Sequence, residues 1–148
     1  MSFLIRNMIK EDVEQVSELE KKYFSLPWSY ESLEKEINNE GSIFCVAISD
    51  NRVVGYGGML GVMDEGDITN IVVDEDYRQL GIGKAIVEFL MNEGEKRGCL
   101  EYTLEVRVSN EAAINLYNKL GFVSEGVRPG FYEKPVEDAF IMWKRKKC

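Results

Sequence analysis

The sequence predicts an α/β (α+β) fold: a mixed, mostly antiparallel sheet with a central parallel strand pair and helices on both faces. Three observations lead there. A strand at 67–74, a helix at 82–97 and a strand at 100–108 follow one another without a break. Such a crossover makes the two strands parallel neighbours, and its hand is almost always right. Hairpin-like strand pairs flank this unit on both sides, and antiparallel pairing follows from short connections. Two amphipathic helices come before the unit and one comes after.

Each element has its own signal. Residues 2–6 read as a short first strand. Ile9, Val13, Val16, Leu19 and Tyr23 recur at helical spacing and place a helix across roughly 10–22. Phe24-Ser-Leu-Pro27-Trp28-Ser29 breaks it, and Ser29 supplies a cap for a second helix near 30–39. Two β-rich runs, 43–49 and 52–62, are joined by Ser49-Asp50-Asn51, a hairpin signal. Ile82, Ala85, Ile86, Phe89 and Leu90 mark the crossover helix, which ends near Gly98. Leu100, Tyr102, Leu104, Val106 and Val108 alternate along the second crossover strand. Ser109 or Asn110 caps a final helix that stops at Gly121. Strands near 122–128 and 137–145 complete the chain. Repeats, low-complexity tracts and linkers are absent, so the 148 residues are expected to form one domain, 1–148.

Composition narrows the function. A net charge of −8 argues against nucleic-acid binding, which favours a basic surface, and suits basic partners such as cationic peptides. The sequence contains no histidine. Ser-His-Asp and Cys-His triads and His-ligated metals are therefore out of reach, and no metal is expected. Cys45, Cys99 and Cys148 are too few and too scattered for a disulfide framework or a zinc site. No signal peptide and no apolar run of membrane-spanning length is visible, so a cytoplasmic protein without membrane contact is expected.

The segment Tyr77-Arg78-Gln79-Leu80-Gly81-Ile82-Gly83-Lys84 joins a strand to a helix start. Helix starts carry unpaired N–H groups and positive partial charge, and glycines let an anion approach the backbone. Arg78 and Lys84 flank the turn, which is the layout of a diphosphate cradle. A branched side chain at Gly83 is expected to enter the phosphate space. The same glycines also fit an ordinary tight helix entry. A P-loop needs Lys-Ser/Thr, but Ala85 follows Lys84. A dinucleotide fingerprint needs a third glycine at 86, where Ile86 stands.

Glu105 belongs to the polar half of an alternating strand, with Glu101, Thr103 and Arg107. That pattern suits a solvated face, but a crossover strand tends to be central, which places a carboxylate at a cleft. Tyr117, at helical spacing, fits a core position, and its hydroxyl would still need a partner if buried. Asn110 fits a helix cap, which can also touch a ligand.

Three blocks carry a resemblance: Asn70-Ile-Val-Val-Asp-Glu-Asp-Tyr-Arg-Gln-Leu-Gly-Ile-Gly-Lys84, Leu104-Glu-Val-Arg-Val-Ser-Asn110 and Ala112-Ala-Ile-Asn-Leu-Tyr-Asn-Lys-Leu-Gly-Phe122. In this order and spacing the chain resembles the GNAT superfamily of acetyl-CoA-dependent N-acetyltransferases. Pro27-Trp28-Ser29 and Tyr132-Glu-Lys-Pro-Val-Glu-Asp-Ala-Phe-Ile-Met142 make it most similar to the RimI type, the ribosomal-protein-alanine N-acetyltransferases.

The resemblance implies the GNAT fold, acetyl-CoA as cosubstrate and a protein N-terminus as acceptor, with a ribosomal protein as the partner. Carried over to this chain, it places the backbone of Ile71, Val72 and Val73 along the acetyl and pantetheine part of acetyl-CoA. Arg78, Gln79, Leu80, Gly81, Ile82, Gly83 and Lys84 would wrap its pyrophosphate, with Asn110 touching the cofactor. Glu105 matches the general base and Tyr117 the general acid, and Trp28 and Tyr132 fall on the acceptor side. Leu80 and Leu26 depart from the usual pattern.

The chemistry suits this residue set. At neutral pH about a tenth of a peptide α-amine, but under about a thousandth of a lysine side chain, is neutral. An α-amine therefore asks little of its base, and a glutamate acting through water suffices. Two other readings stay open: a small-amine or lysine acceptor, and a silent acyl-CoA-binding module.

Overall fold

A computed structural model of the chain describes residues 2–24 and 26–146. Ser25, in the expected break between the first two helices, and Cys148 lie outside the described residues. Seven strands form one sheet in the order β1-β2-β3-β4-β5-β7-β6. They are β1 (Leu4–Asn7), β2 (Ser42–Ser49), β3 (Arg52–Val62), β4 (Glu65–Val73), β5 (Glu101–Arg107), β6 (Val123–Glu133) and β7 (Val136–Lys144). The helices are α1 (Val13–Tyr23), α2 (Tyr30–Ile37), α3 (Ile82–Lys96) and α4 (Glu111–Lys119). Among the described residues only β4 and β5 pair in parallel; every other pair is antiparallel. The mixed sheet with a parallel pair at its centre is as expected.

The alternating strands divide the core in two. Cys45, Ala47, Val54, Ile68, Tyr102, Leu104 and Val106 pack under α3 and α4. Phe44, Val46, Tyr56 and Val72 face the other way, under α1 and α2. Both faces of the centre are thus buried, and α1 and α2 present their apolar stripes to it. Ser29 caps α2 by accepting the Ser32 N–H at 3.1 Å. Of the two candidates for the α4 cap, Asn110 takes the place, accepting from Ala113 N at 3.2 Å. Asp50 and Asn51 both have positive φ (53° and 59°), the mark of a type I′ hairpin turn between β2 and β3.

Several boundaries differ from expectation. β1 starts two residues later and ends one later, and β4 starts at Glu65 rather than 67. Leu100 precedes β5 and is 46% exposed, so the buried alternation spans Tyr102 to Val106 only. β6 runs to Glu133 instead of stopping near 128. Pro129 and Gly130 read as strand breakers, but a register shift between Arg128 and Tyr132 drops them out of the ladder. The Gly130 N–H is taken up by Asp138 Oδ1 at 2.8 Å.

Close approach of α3 to the sheet depends on Gly57 of β3. A Cβ there would run into Ile86 Cγ2 and lie 3.1 Å from Leu90 Cδ1. Gly57→Ala is expected to cost about 1–3 kcal/mol by overpacking. Thermal unfolding should then shift down by about 3–10 °C; an unchanged midpoint would contradict this contact.

Candidate active site

The ladder between β4 and β5 holds only at its start: Glu65↔Glu101, Gly66↔Tyr102 and Asp67↔Thr103. Beyond Asp67 the two strands part, and β4 keeps only its pairing with β3. The edge of β4 facing β5 is therefore open backbone, able to pair with an extended ligand as an added strand would. β4 is also distorted here. Gly58↔Asn70 and Met59↔Ile68 are successive pairs, so Thr69 is an extra, bulged residue.

The gap between the strands opens into a cleft of about 1230 Å³. That exceeds the roughly 300–1,000 Å³ of a single small-molecule pocket and leaves room for two substrates to meet. Its lining comes from both sides of the sheet. Trp28, Glu20 and Tyr23 contribute from α1 and the segment after it, and Asn110, Ala113 and Tyr117 from α4 and its cap. Thr69 and Ile71 line it from β4, Glu105 from β5, and Arg128 and Tyr132 from β6.

Of the residues singled out from the sequence, the structure brings Glu105, Tyr117, Asn110, Trp28, Tyr132 and Ile71 into this one cleft. Val72 and Val73 continue β4 beyond it. The Val72 side chain is buried in the α1–α2 core and its carbonyl is turned toward Gly55 of β3, so the open edge of β4 is that of its neighbours Ile71 and Val73. Residues 78–84 form a separate surface turn at the start of α3. Gln79 (φ 65°) and Gly81 (φ 87°) both take left-handed backbone, and a side chain at Gly81 would meet nothing within 4 Å. Gly81 is the open position of the turn. Ile82 is 2% exposed and can offer only its backbone; Leu80 and Lys84 face outward.

A Cβ at Gly83 would meet Leu116 Cδ2 of α4 at 3.3 Å, so a larger residue there also presses on the α3–α4 contact. Arg78 turns back: its Nε donates to the Val73 carbonyl at 3.1 Å, and its guanidinium stacks over Tyr23, 5.0 Å from the ring centre. The charge of Arg78 thus lies on the α1 side.

Glu105 is half-buried. Burial pushes its carboxyl up from the usual range, the nearby Asp67 charge pushes it further, and Arg128 opposes both. Arg128 Nε lies 3.8 Å from Glu105 Oε1, but Arg128 is more than half exposed, so the pair is weak. The Tyr117 phenol is buried against Phe122, and its pKa is pushed up to about 12, mainly by burial and secondarily by Tyr132. It stays protonated throughout the physiological range. Tyr132 is held by the Arg107 guanidinium, 4.2 Å from its ring centre, and Arg107 is itself paired with Glu137 at 3.2 Å.

Sequence reasoning missed Glu20, Asp67, Asn70 and Arg128. Glu20 is 1% exposed and accepts hydrogen bonds from the Trp28 N–H at 2.8 Å and from the Tyr56 hydroxyl. Burial raises its pKa despite these donors and a hydrogen bond from Asn70. It ties the segment at Trp28 to β3 and β4. A signal was available: Glu20 falls on the buried stripe of α1, seven residues after Val13 and four after Val16.

No helix among the described residues is long and apolar enough to cross a membrane, and no group of three metal-ligating side chains occurs among them.

Known proteins can be set beside this geometry. Residues 13–122 match the acetyltransferase (GNAT) family. A Bacillus subtilis protein, provisionally named as a [ribosomal protein bS18]-alanine N-acetyltransferase, is 36% identical across 94% of this chain and 93% of its own length. The [ribosomal protein bS18]-alanine N-acetyltransferase of Escherichia coli K12 is 35% identical across 88% of this chain and 89% of its own. The crystal structure of the Escherichia coli ribosomal-protein-S18-alanine N-acetyltransferase superposes with a TM-score of 0.87 at 31% identity, covering 99% of this chain and 97% of that one. With a family match over most of its length and relatives of this identity, the chain belongs to the GNAT family of acetyltransferases.

Proposed function

We propose that the protein transfers the acetyl group of acetyl-CoA to the N-terminal α-amine of a protein, by direct transfer. The acceptor we infer is a ribosomal protein beginning with alanine or serine. The observation that carries this reading is the through-sheet cleft, which has the unpaired β4 edge at Thr69 and Ile71 on one side and Trp28 and Tyr132 on the other. The relatives named for bS18-alanine acetylation support the choice of acceptor.

The donor fits the residues present. The segment Ile71-Val72-Val73 lies on the strand edge left free by β5, and the space at Gly81 is open, with nothing within 4 Å of a Cβ there. Glu105, raised by burial, accepts a proton from the amine through water. Backbone N–H groups at the Thr69 bulge polarise the acetyl carbonyl. Tyr117, held as the phenol, gives its proton to the departing sulfur.

The test is release of CoA with a short peptide starting in alanine or serine, against the same peptide with a blocked N-terminus. Turnover confined to the free N-terminus supports the proposal. Equal turnover with both, or turnover with polyamines only, contradicts it.

A further inference from the structure

Two buried oxygens in the cleft wall lack a hydrogen-bond partner among the described residues: Asp67 Oδ1 and Asn70 Oδ1. Asn70 is 8% exposed. About nine in ten buried polar atoms are paired, so two orphan acceptors on one wall call for a ligand that brings N–H donors. The bulge at Thr69 is what unites them. Residues three apart on a regular strand face opposite ways. Here Ile68 points into the α3 core, while the extra residue returns Asn70 to the α1 side, where it bonds Glu20.

Asp67 is also the last β4 residue in register with β5, opposite Thr103. Glu105 follows Thr103 by two, so it shares that face, and the two carboxylates form a diagonal cross-strand pair at the point where the strands part. Their surroundings are defined. From β6, Arg128 reaches Glu105 at 3.8 Å and also attracts Asp67, and Tyr132 stands near Glu105. Glu20 and Tyr23 of α1, Tyr117 of α4 and Arg107 of β5, which is paired with Glu137 of β7, line the same cleft. The neighbours across the ladders are apolar: Leu60 opposite Asp67 and Ile141 opposite Glu105.

We propose that Asp67 is the second proton acceptor of the amine site, paired with Glu105, so that the acceptor enters as its ammonium form. This rests on the function proposed above. Converting R–NH3+ into R–NH–CO–CH3 takes two protons from nitrogen while an N–C bond forms and the C–S bond breaks. One carboxylate takes the first proton and frees the lone pair for attack. The other takes the second as the tetrahedral intermediate collapses. Tyr117 protonates the departing sulfur and is reprotonated from the pair, and the remaining proton leaves to solvent. The net change is ammonium plus thioester giving amide, thiol and one proton. Roughly nine-tenths of a peptide α-amine is charged at neutral pH, so a site with two carboxylates takes the majority form. The pKa directions agree: burial raises Asp67, and the two carboxylates repel each other's charge.

The experiment compares Asp67→Asn and Asp67→Thr with wild type on an alanine-starting peptide from about pH 6 to about pH 9. The expected kcat/KM loss is about tenfold or more near pH 6.5, narrowing to within about threefold near pH 9, where the amine is already neutral. A loss of one size at every pH would overturn the proposal and leave Asp67 a structural residue. The Thr variant keeps strand propensity and carries the test if the Asn variant folds poorly. A second readout needs no turnover: the 13C titration of the Glu105 carboxyl should shift to lower pH in Asp67→Asn. An unmoved midpoint refutes the coupling. If wild type acetylates no N-terminal peptide, the proposed function fails, and the titration still decides whether the carboxylates interact.

Discussion

Glu105→Gln is expected to lower kcat/KM for an N-terminal peptide by about 10²–10⁴-fold, the usual contribution of a positioned general base. Gln keeps the shape of Glu105 but takes no proton. Stability should move the other way. Burial and Asp67 raise the folded-state pKa of Glu105 above its unfolded value. A carboxyl shifted in that direction stabilises the fold at low pH and loses that contribution as pH rises through its folded pKa. At neutral pH the ionised group is therefore a net cost, which the amide removes. The variant should unfold at the same temperature as wild type or higher while losing activity. Loss of activity together with a lower unfolding temperature would point to a structural role for Glu105. The size of the effect should shrink toward high pH, because a neutral amine needs less help from a base.

Tyr117→Phe is expected to reduce kcat by about 10²-fold or more with little change in acetyl-CoA affinity. The ring packs against Phe122, with centroids 6.0 Å apart, and Phe preserves that contact. Only the hydroxyl is lost, and with it the proton for the departing sulfur. The pKa near 12 adds a distinguishing feature. Wild type should show no alkaline decline attributable to this phenol below about pH 10. A thioester donor with a more acidic leaving thiol should lose less from the mutation, because it needs protonation less. Equal losses for both donors, or a parallel loss of affinity for acetyl-CoA, would place Tyr117 in binding rather than proton transfer.

Much of this arrangement can be read in the chain, for identifiable reasons. The crossover unit is carried by local periodicity: helical spacing from Ile82 to Leu90 and strict alternation from Tyr102 to Val106 survive unchanged in the fold. Caps at Ser29 and Asn110 are likewise local chemistry. The parting of β4 from β5 after Asp67 is a tertiary event with no local signature, yet it creates the cleft. The length of β6 was hidden by Pro129 and Gly130, which mark a bulge rather than an end. Glu105 and Tyr117 were visible because one is a carboxylate midway along a crossover strand and the other completes a motif. Asp67 and Asn70 were not, because their shared face depends on the extra residue at Thr69. Gly83 carries a constraint that no local pattern reveals: a Cβ there would press on Leu116 of α4.

The proposed acceptor is an α-amine, and the most direct test offers the enzyme both kinds of amine at once. A single peptide with a free N-terminal alanine and an internal lysine, incubated with acetyl-CoA, can be sequenced by tandem mass spectrometry. The account predicts one acetyl group, on the N-terminal nitrogen, formed by wild type and reduced at least about a hundredfold in rate by Glu105→Gln. Acetyl on the lysine side chain, or equal labelling by wild type and the Gln variant, would contradict it.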